Sequence, residues 1–156
     1  MELSDDGRQC LFPKSATEVI CIAVAEWKGQ QRLDVRTYVP EVEGEGLIAT
    51  KKGVSLPLDL YDKVLEAVRR LGDVMGPEKV VAVIPRSEGE QVRIGVTLFK
   101  GHPLIYVRTF VDASSEWIAT QKGISLRVDL YPTLLEALEV LRPAVDAARE
   151  KPGEGR

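Results

Sequence analysis

Residues 48–61 read Ile-Ala-Thr-Lys-Lys-Gly-Val-Ser-Leu-Pro-Leu-Asp-Leu-Tyr, and residues 118–131 read Ile-Ala-Thr-Gln-Lys-Gly-Ile-Ser-Leu-Arg-Val-Asp-Leu-Tyr. Each stretch contains a strand-like segment, a Lys-Gly pivot and the start of a helix. The similarity extends along both halves of the chain, with a shift of 72 residues that becomes 70 after a loop at residues 40–46. Close to half of the aligned positions are identical, which indicates one structural unit used twice.

The length and composition fit two small units that share a core. The chain has 156 residues, so each half is near the lower limit for an independent domain and should bury its apolar face against the other. A hydrophobic fraction of 44% and a charged fraction of 29% are typical of soluble globular proteins. We expect a cytoplasmic, nucleoid-associated protein without a signal peptide or membrane segment, in which Cys10 and Cys21 are reduced, buried thiols.

The hydrophobic pattern predicts four strands and one helix in each half. Residues 19–27 have the period of two of a strand, with Ile20, Ile22 and Val24 on one face and smaller side chains and Trp27 on the other, and residues 33–39 alternate in the same way after a hairpin turn at residues 28–31. Apolar residues then recur at helical spacing from Tyr61, with Gly72 placed as a helix C-terminal glycine. The second half repeats this pattern from Tyr131, and Pro143 should end or kink its helix.

These elements predict an α+β fold of two tandem β-β-β-β-α repeats. Each repeat should be a curved four-stranded antiparallel sheet plus one helix, and the two should pair as an intramolecular pseudo-dimer. We predict an acidic tail, a first repeat, a linker, a second repeat and a C-terminal extension with a disordered tail, at residues 1–7, 8–72, 73–78, 79–142 and 143–156. The alternative is pairing between the chains of a homodimer, because the short linker spans at most about 25 Å.

The charge distribution leaves nucleic-acid binding open. The net charge of −3 argues against a polyanionic partner. However, residues 8–72 hold ten Lys and Arg against nine Asp and Glu, and residues 79–142 hold eight against seven. The acidity therefore lies in the tails and the linker, outside the repeats.

One sheet face is predicted to be open in each repeat. The apolar helix stripe should cover the face that carries Ile22, Val24, Leu33 and Val35. The opposite face would then present aromatic and arginine side chains above small residues, a composition typical of a platform on which unpaired bases stack. Its members are Trp27, Arg36, Tyr38, Arg93, Phe99, Tyr106, Arg108 and Phe110.

The order of motifs resembles the transcriptional coactivator family called positive cofactor four. It runs Trp-Lys-Gly, Leu-Asp-Val-Arg-Thr-Tyr, Thr-Lys-Lys-Gly-Val-Ser-Leu and a helix that opens with an aromatic residue. The resemblance covers nearly all of both repeats and implies a four-stranded sheet followed by a helix. It also implies pairing through the helices and binding of single-stranded DNA along the curved strands.

The resemblance assigns site residues by position. The stacking aromatic falls on Trp27 and Phe99, with the lysine that follows it at Lys28 and Lys100. The remaining basic positions of the family fall on Arg36, Arg108, Lys51, Lys52 and Lys122, while Gln121 replaces the second copy of Lys51. Because the first repeat keeps both lysines, we expect it to bind more strongly, and Trp27→Ala to weaken binding more than Phe99→Ala.

The sequence predicts a binding protein rather than an enzyme. Ser55 and Ser125 lack the surroundings of a nucleophile, and the turn residue His102 has no visible partner for metal binding or catalysis. We expect a non-catalytic, largely sequence-independent single-stranded DNA-binding protein acting in transcription, replication or repair, without a cofactor or a metal. The alternatives are an RNA-binding protein and a protein-interaction transcription cofactor whose nucleic-acid surface is weakened or lost.

Overall fold

Two antiparallel sheets, each followed by a helix, make up the fold. The computed structural model describes residues 1–74 and 79–150. Within these ranges the chain forms nine strands and three α-helices. Their bounds are β1 Glu2–Leu3, β2 Gln9–Pro13, β3 Val19–Trp27, β4 Gln30–Pro40, β5 Leu47–Pro57, α1 Tyr61–Val74, β6 Lys79–Ser87, β7 Glu90–Phe99, β8 His102–Asp112, β9 Trp117–Arg127, α2 Tyr131–Glu139 and α3 Arg142–Glu150.

The sheet order confirms the predicted α+β repeats and adds one strand. The first sheet has the order β1-β2-β3-β4-β5 and the second the order β6-β7-β8-β9, with every neighbouring pair antiparallel. The added strand lies in the acidic tail predicted at residues 1–7, where Glu2–Leu3 pairs with β2 through a turn closed by the Ser4 amide and the Gln9 carbonyl. No helix in the described ranges is long and apolar enough to cross a membrane.

Two-residue hairpin turns join β3 to β4 and β7 to β8. Lys28 and Gly29 form the first turn with φ of 51° and 76°, and Lys100 and Gly101 form the second with φ of 52° and 80°. Positive φ at both central residues belongs to the type I′ turn, whose twist matches that of paired strands. The predicted hairpin is therefore confirmed, and the aromatic residue before each turn lies at the tip of a long β-ribbon.

The Lys-Gly pivot is a β-bulge. Residues 50–52 lie opposite the single residue Thr37, and residues 120–122 lie opposite Thr109. The Thr50 hydroxyl donates to the Thr37 carbonyl at 2.7 Å and accepts from the Lys52 amide at 3.2 Å. Because bulges bend a sheet and increase its twist, this device curves both sheets at the same place.

Both repeats contribute to one hydrophobic core. The predicted covered face is confirmed, since Ile22, Val24, Leu33 and Val35 are all buried beneath the helices. The core continues without interruption into the second repeat. This continuity explains how two units of marginal size can be stable together.

Reciprocal tyrosine contacts join the helices of the two repeats. The Tyr61 hydroxyl donates to the Leu138 carbonyl, and the Tyr131 hydroxyl donates to the Val68 carbonyl at 2.8 Å. The prediction that Gly72 ends its helix is wrong, because α1 continues to Val74. A Cβ atom at Gly72 would lie 2.8 Å from the Tyr131 hydroxyl oxygen, so this glycine permits the close approach of Tyr131.

A third helix follows the second repeat, where we expected only an extension. α2 ends at Glu139 and α3 begins at Arg142, with Pro143 in its first turn. Arg142 and Arg149 donate to the two carboxylate oxygens of Asp62 at 2.7 and 2.9 Å, and these hydrogen bonds lower the pKa of Asp62. α3 therefore straps the end of the chain to the first repeat. The predicted disordered tail at 151–156 and most of the predicted linker lie outside the described residues.

The tyrosine pair allows a matched test of the helix interface. Tyr61→Phe should lower the free energy of unfolding by about 1–2 kcal/mol, because the Leu138 carbonyl would lose the buried tyrosine hydroxyl and keep the longer bond from the Leu141 amide at 3.3 Å. Tyr131→Phe should cost less, because Tyr131 is only half-buried. Urea unfolding of the two variants measures the difference, and equal losses would contradict this account of the interface.

Candidate nucleic-acid interface

The second sheet carries a groove on the face turned away from the helices. The groove has a volume of about 890 Å³ and contains residues of both repeats. Its wall is basic and aromatic, and no Asp or Glu among the described residues lines it. The aromatic and basic members are Phe99, Tyr106, Phe110, Lys14, Lys52, Lys79, Arg93 and Arg108.

Two of these cations come from the first repeat. Lys14 follows β2 and Lys52 lies in the bulge of β5, and both ammonium groups are 3.9 Å from the Glu18 carboxylate. Burial lowers the pKa of Lys14, the negative charge of Glu18 opposes that lowering, and the positive charges of Lys52 and Arg108 add to it. The groove is therefore a cation cluster built across the contact between the repeats.

Arg108 lies in the groove with only neutral oxygens as partners. Its guanidinium donates to the Thr120 carbonyl at 3.2 Å and to the Ser125 hydroxyl, and burial lowers its pKa. Among the described residues no carboxylate lies within ion-pair distance of it. Gly123 pairs directly with Arg108 across the ladder, and a side chain there would clash with the Arg108 backbone. The charge of Arg108 is thus held in place and left without a counter-ion.

Arg93 lies close to two aromatic rings. Its guanidinium carbon lies 4.4 Å from the Phe110 ring centroid and 5.9 Å from that of Trp117. With the Gln91 amide oriented so that its oxygen faces Arg93, that oxygen accepts from Nε at 3.0 Å and from Nη2 at 2.8 Å. The planar cation is therefore fixed at one end of the groove, where it can contact a phosphate or a base.

The aromatic residues at the hairpin tips are the most exposed large hydrophobic side chains of the two ribbons. Trp27 is 63% exposed and Phe99 is 58% exposed. The ammonium groups of Lys28 and Lys100 lie 4.5 and 5.4 Å from the centroids of these rings. Each tip therefore presents an aromatic ring and a cation together, which suits a base and its phosphate.

Tyr106 differs from the predicted open surface. It is only 6% exposed, because it forms the floor of the groove next to Phe110, with ring centroids 5.9 Å apart. Gly95 makes room for it, since a Cβ atom there would lie 2.8 Å from the Tyr106 hydroxyl oxygen. The predicted face is thus a concave groove with an aromatic floor.

The corresponding face of the first repeat is arranged differently. Arg36 donates from Nε and Nη2 to the Asp34 carboxylate at 3.2 and 3.1 Å, and from Nη1 to the Thr50 carbonyl at 2.8 Å. A second, smaller cleft of about 320 Å³ lies between the repeats and is lined by Arg36, Lys51, Arg86 and Lys122 among others. Neither Trp27 nor Tyr38 lines this cleft, so the residues predicted for the first repeat are not brought together.

The structure therefore divides the predicted site residues into groups. Six lie in the groove: Lys52, Arg93, Phe99, Tyr106, Arg108 and Phe110. Three line the cleft between the repeats: Arg36, Lys51 and Lys122. Trp27, Lys28 and Lys100 lie at the hairpin tips, and Tyr38 is half-buried on the first sheet.

Sequence reasoning missed Lys14, Lys79 and Trp117. A signal for Lys14 was present, because Pro-Lys-Ser at residues 13–15 matches Pro-Arg-Ser at residues 85–87 and is basic in both copies. Lys79 and Trp117 had none, since the first repeat carries Gly7 and Leu47 at the aligned positions. Their part in the site depends on how the strands are arranged in space.

The polar residues considered for chemistry have other partners. The Ser55 hydroxyl accepts from Arg32 Nε at 3.0 Å, and the Ser125 hydroxyl accepts from Arg108. In residues 1–74 and 79–150, no group of three His, Cys, Asp or Glu side chains could hold a metal ion. The serine hydroxyls thus serve to position arginine side chains.

The turn lysines allow a test that separates binding from stability. Lys100 has a left-handed backbone conformation, which costs a non-glycine residue about 1 kcal/mol and suits asparagine better. Lys100→Asn should therefore raise the melting temperature while weakening binding to an oligo(dT) strand through the lost charge. Thermal unfolding and fluorescence anisotropy measure the two effects, and a variant that loses both stability and binding would contradict a binding role for this strained turn.

Comparison with known proteins finds one matching family and several similar solved structures. The family described as Transcriptional Coactivator p15 (PC4) matches residues 14–67 and 87–137, one segment in each repeat. A crystal structure of a PC4 homolog from Burkholderia pseudomallei is 26% identical, with a TM-score of 0.36, and the match covers 42% of this chain and 97% of that chain. A second crystal form of that protein gives 25% identity, a TM-score of 0.35, and coverage of 48% and 95%.

A bacteriophage protein is similar over the same length of chain. It is the phage T5 homolog of the eukaryotic transcription coactivator PC4, implicated in recombination-dependent DNA replication. It is 29% identical, with a TM-score of 0.32, and the match covers 47% of this chain and 93% of that chain. No curated protein shows significant similarity to the chain. Because the family matches more than half of the sequence, in two segments that coincide with the two repeats, this chain belongs to the PC4 family of transcriptional coactivators and carries two tandem copies of its domain.

Proposed function

We propose that this protein is a non-catalytic, largely sequence-independent single-stranded DNA-binding protein that acts in transcription, replication or repair. The groove on the second sheet carries this proposal, because five cations and three aromatic side chains line it together. Cationic side chains bind the phosphate backbone, and aromatic rings stack on unpaired bases of any sequence. Paired bases inside a duplex do not offer their ring faces in this way.

The arrangement of the groove suggests that different residues bind the bases and the phosphates. Phe99 at the hairpin tip and Phe110 beside the floor would stack on bases, and Arg108, without a counter-ion, would hold a phosphate. Lys14 and Lys52 would contact the strand from the first repeat. Stacking and phosphate contacts carry little sequence information, so we expect weak discrimination among bases.

Fluorescence anisotropy with a labelled oligo(dT) strand tests this proposal. We expect binding that unlabelled oligo(dT) displaces and duplex DNA of the same length displaces poorly. Lys63→Ala removes one positive charge from the exposed surface of α1, on the opposite side of the sheet, and should leave the affinity for oligo(dT) nearly unchanged. Failure to bind below roughly 100 μM at low salt, the weak end of non-specific affinities, would overturn the proposal.

The same titration decides between the alternatives. An oligo(U) competitor that displaces the strand better than oligo(dT) would identify an RNA-binding protein. A protein-interaction cofactor that has lost its nucleic-acid surface is favoured by one observation, the ion pair that neutralises Arg36 in the first repeat. That alternative predicts that the labelled strand does not bind at all.

We propose further that the two repeats pair within one chain. The continuous core, the reciprocal tyrosine bonds and the strap formed by α3 support this pairing. Sedimentation equilibrium should then give the mass of one chain, 17.2 kDa, independent of concentration. A strict dimer would show that the repeats pair between chains of a homodimer.

A further inference from the structure

The two repeats share an arginine, Arg36 or Arg108, but differ at a position close to it. Asp34 in β4 and Tyr106 in β8 occupy equivalent positions, two residues before Arg36 and Arg108. Tyr106 forms the floor of the groove, whereas Asp34 forms a two-point ion pair with Arg36. One substitution between the copies therefore replaces an aromatic floor by a carboxylate.

The Asp34 carboxylate takes the place that a strand phosphate would take. Two parallel bonds from Nε and Nη2 of an arginine are the usual geometry for both carboxylate and phosphate oxygens. The remaining donor edge of Arg36 is directed at the Thr50 carbonyl, and the Asp34 and Arg36 side chains are only 17% and 22% exposed. A phosphate group would have to displace a partly buried partner and then lie next to its negative charge.

The surroundings of Asp34 close the first face further. Arg32 donates to both the hydroxyl and the carbonyl oxygen of Ser55, and Arg86 from the second repeat donates to the same carbonyl at 2.8 Å. The residue aligned with Arg32 in the second repeat is Leu104, which lines the groove without such bonds. In the first repeat, arginine side chains that are hydrogen-bonded to Ser55 therefore occupy the sheet face whose counterpart in the second repeat is open.

We propose that Asp34 acts as an internal substitute for a strand phosphate and confines binding to the second repeat, so that each chain has one strand-binding groove. This inference rests on the proposed function in single-stranded DNA binding. It makes the tandem chain functionally asymmetric although its two sheets and helices are nearly equivalent. The first repeat then serves the groove indirectly, by supplying Lys14 and Lys52 at its edge.

Isothermal titration with a short oligo(dT), of about eight nucleotides, counts the sites on each chain. The wild-type protein should bind one strand, and Asp34→Asn, which keeps the shape but removes the charge, should bind a second strand more weakly than the first, because Arg32 and Arg86 still cover part of that face. Tyr106→Asp places a carboxylate beside Arg108 and should weaken the existing site at least tenfold. Glu26→Gln is the control for net charge, because Glu26 is exposed in the same repeat and does not contact Arg36.

The outcomes separate the role of Asp34 from the proposed function. One site in Asp34→Asn, with an unchanged thermal melting curve, would overturn the inference and leave the function intact. Two sites of equal affinity in the wild-type protein would do the same. A second site in Glu26→Gln would show a general charge effect and would also overturn it. If none of the proteins binds the strand, the proposed function fails, and the inference fails with it.

Discussion

Phe99→Ala is expected to weaken binding to oligo(dT) by roughly 5- to 150-fold, which corresponds to the 1–3 kcal/mol that one stacked base contributes. Phe99 lines the groove together with Arg108 and Phe110, so a base stacked on its ring belongs to a strand that the cations already hold. Trp27 has a larger ring and similar exposure, but it does not line the groove, and the arginine of its sheet is bound to Asp34. We therefore expect Trp27→Ala to have the smaller effect.

This order is the reverse of the one that the lysine count favours. Counting charges along each repeat ranks the first one higher, because Lys51 has become Gln121 in the second. In three dimensions, however, Lys51 lines the cleft between the repeats rather than the groove. Anisotropy titrations of the two alanine variants decide the matter, with melting curves to verify folding. A larger loss for Trp27→Ala would return the main site to the first repeat.

Local patterns were enough to predict most of the fold. The period of two along residues 19–27 placed Ile22 and Val24 on one buried face, and the polar residues 28–31 indicated a hairpin, which the structure shortens to the two-residue turn Lys28-Gly29. The second half of the chain repeats the same order of strands and helix, which gave independent support to each predicted element. Elements governed by short sequence windows were therefore predictable.

Features that depend on contacts between distant segments were not predictable. Gly72 has the spacing of a helix end, but its real role is to admit Tyr131 from the other repeat. Val145 and Ala148 are spaced three residues apart on a buried helix face, yet Pro143 before them indicated the end of the helix, and only an extension was predicted after it. The roles of Gly72 and of the third helix depend on how the repeats pair, and the sequence of one repeat does not contain that information.

The groove shows the same limit at the level of function. From the sequence alone, Asp34 is an ordinary ion-pair partner of Arg36. Its difference from the second repeat becomes meaningful only because the equivalent residue, Tyr106, forms the floor of a groove. Lys14 belongs by sequence to the first repeat and by position to the site of the second. The sequence can therefore predict the residue types of a site that is assembled across two repeats, but its location depends on how the repeats pack against each other.

Salt should weaken strand binding steeply, by roughly 100-fold between 50 and 200 mM. Five cations line the groove, and each phosphate contact on a single strand contributes about −0.7 to the slope of log affinity against log salt, which gives a slope of about −3.5. A slope near zero would show that stacking alone carries the binding. Anisotropy titrations at four or more salt concentrations measure the slope.

Removing the two lysines that the first repeat supplies tests whether the groove spans both repeats. The double variant Lys14→Ala/Lys52→Ala should bring the slope to about −2, because two contacts are lost and each is worth about 0.7. The loss in affinity should be somewhat larger than the change in slope alone implies, since Glu18 would lose both of its cationic neighbours and face the strand unpaired. Lys51→Ala is the matched control, because Lys51 adjoins Lys52 in the bulge but lines the other cleft. If Lys51→Ala changes the slope as much per charge as the double variant does, the lysines act only through the overall charge of the protein, and the strand does not lie in a groove shared by the two repeats.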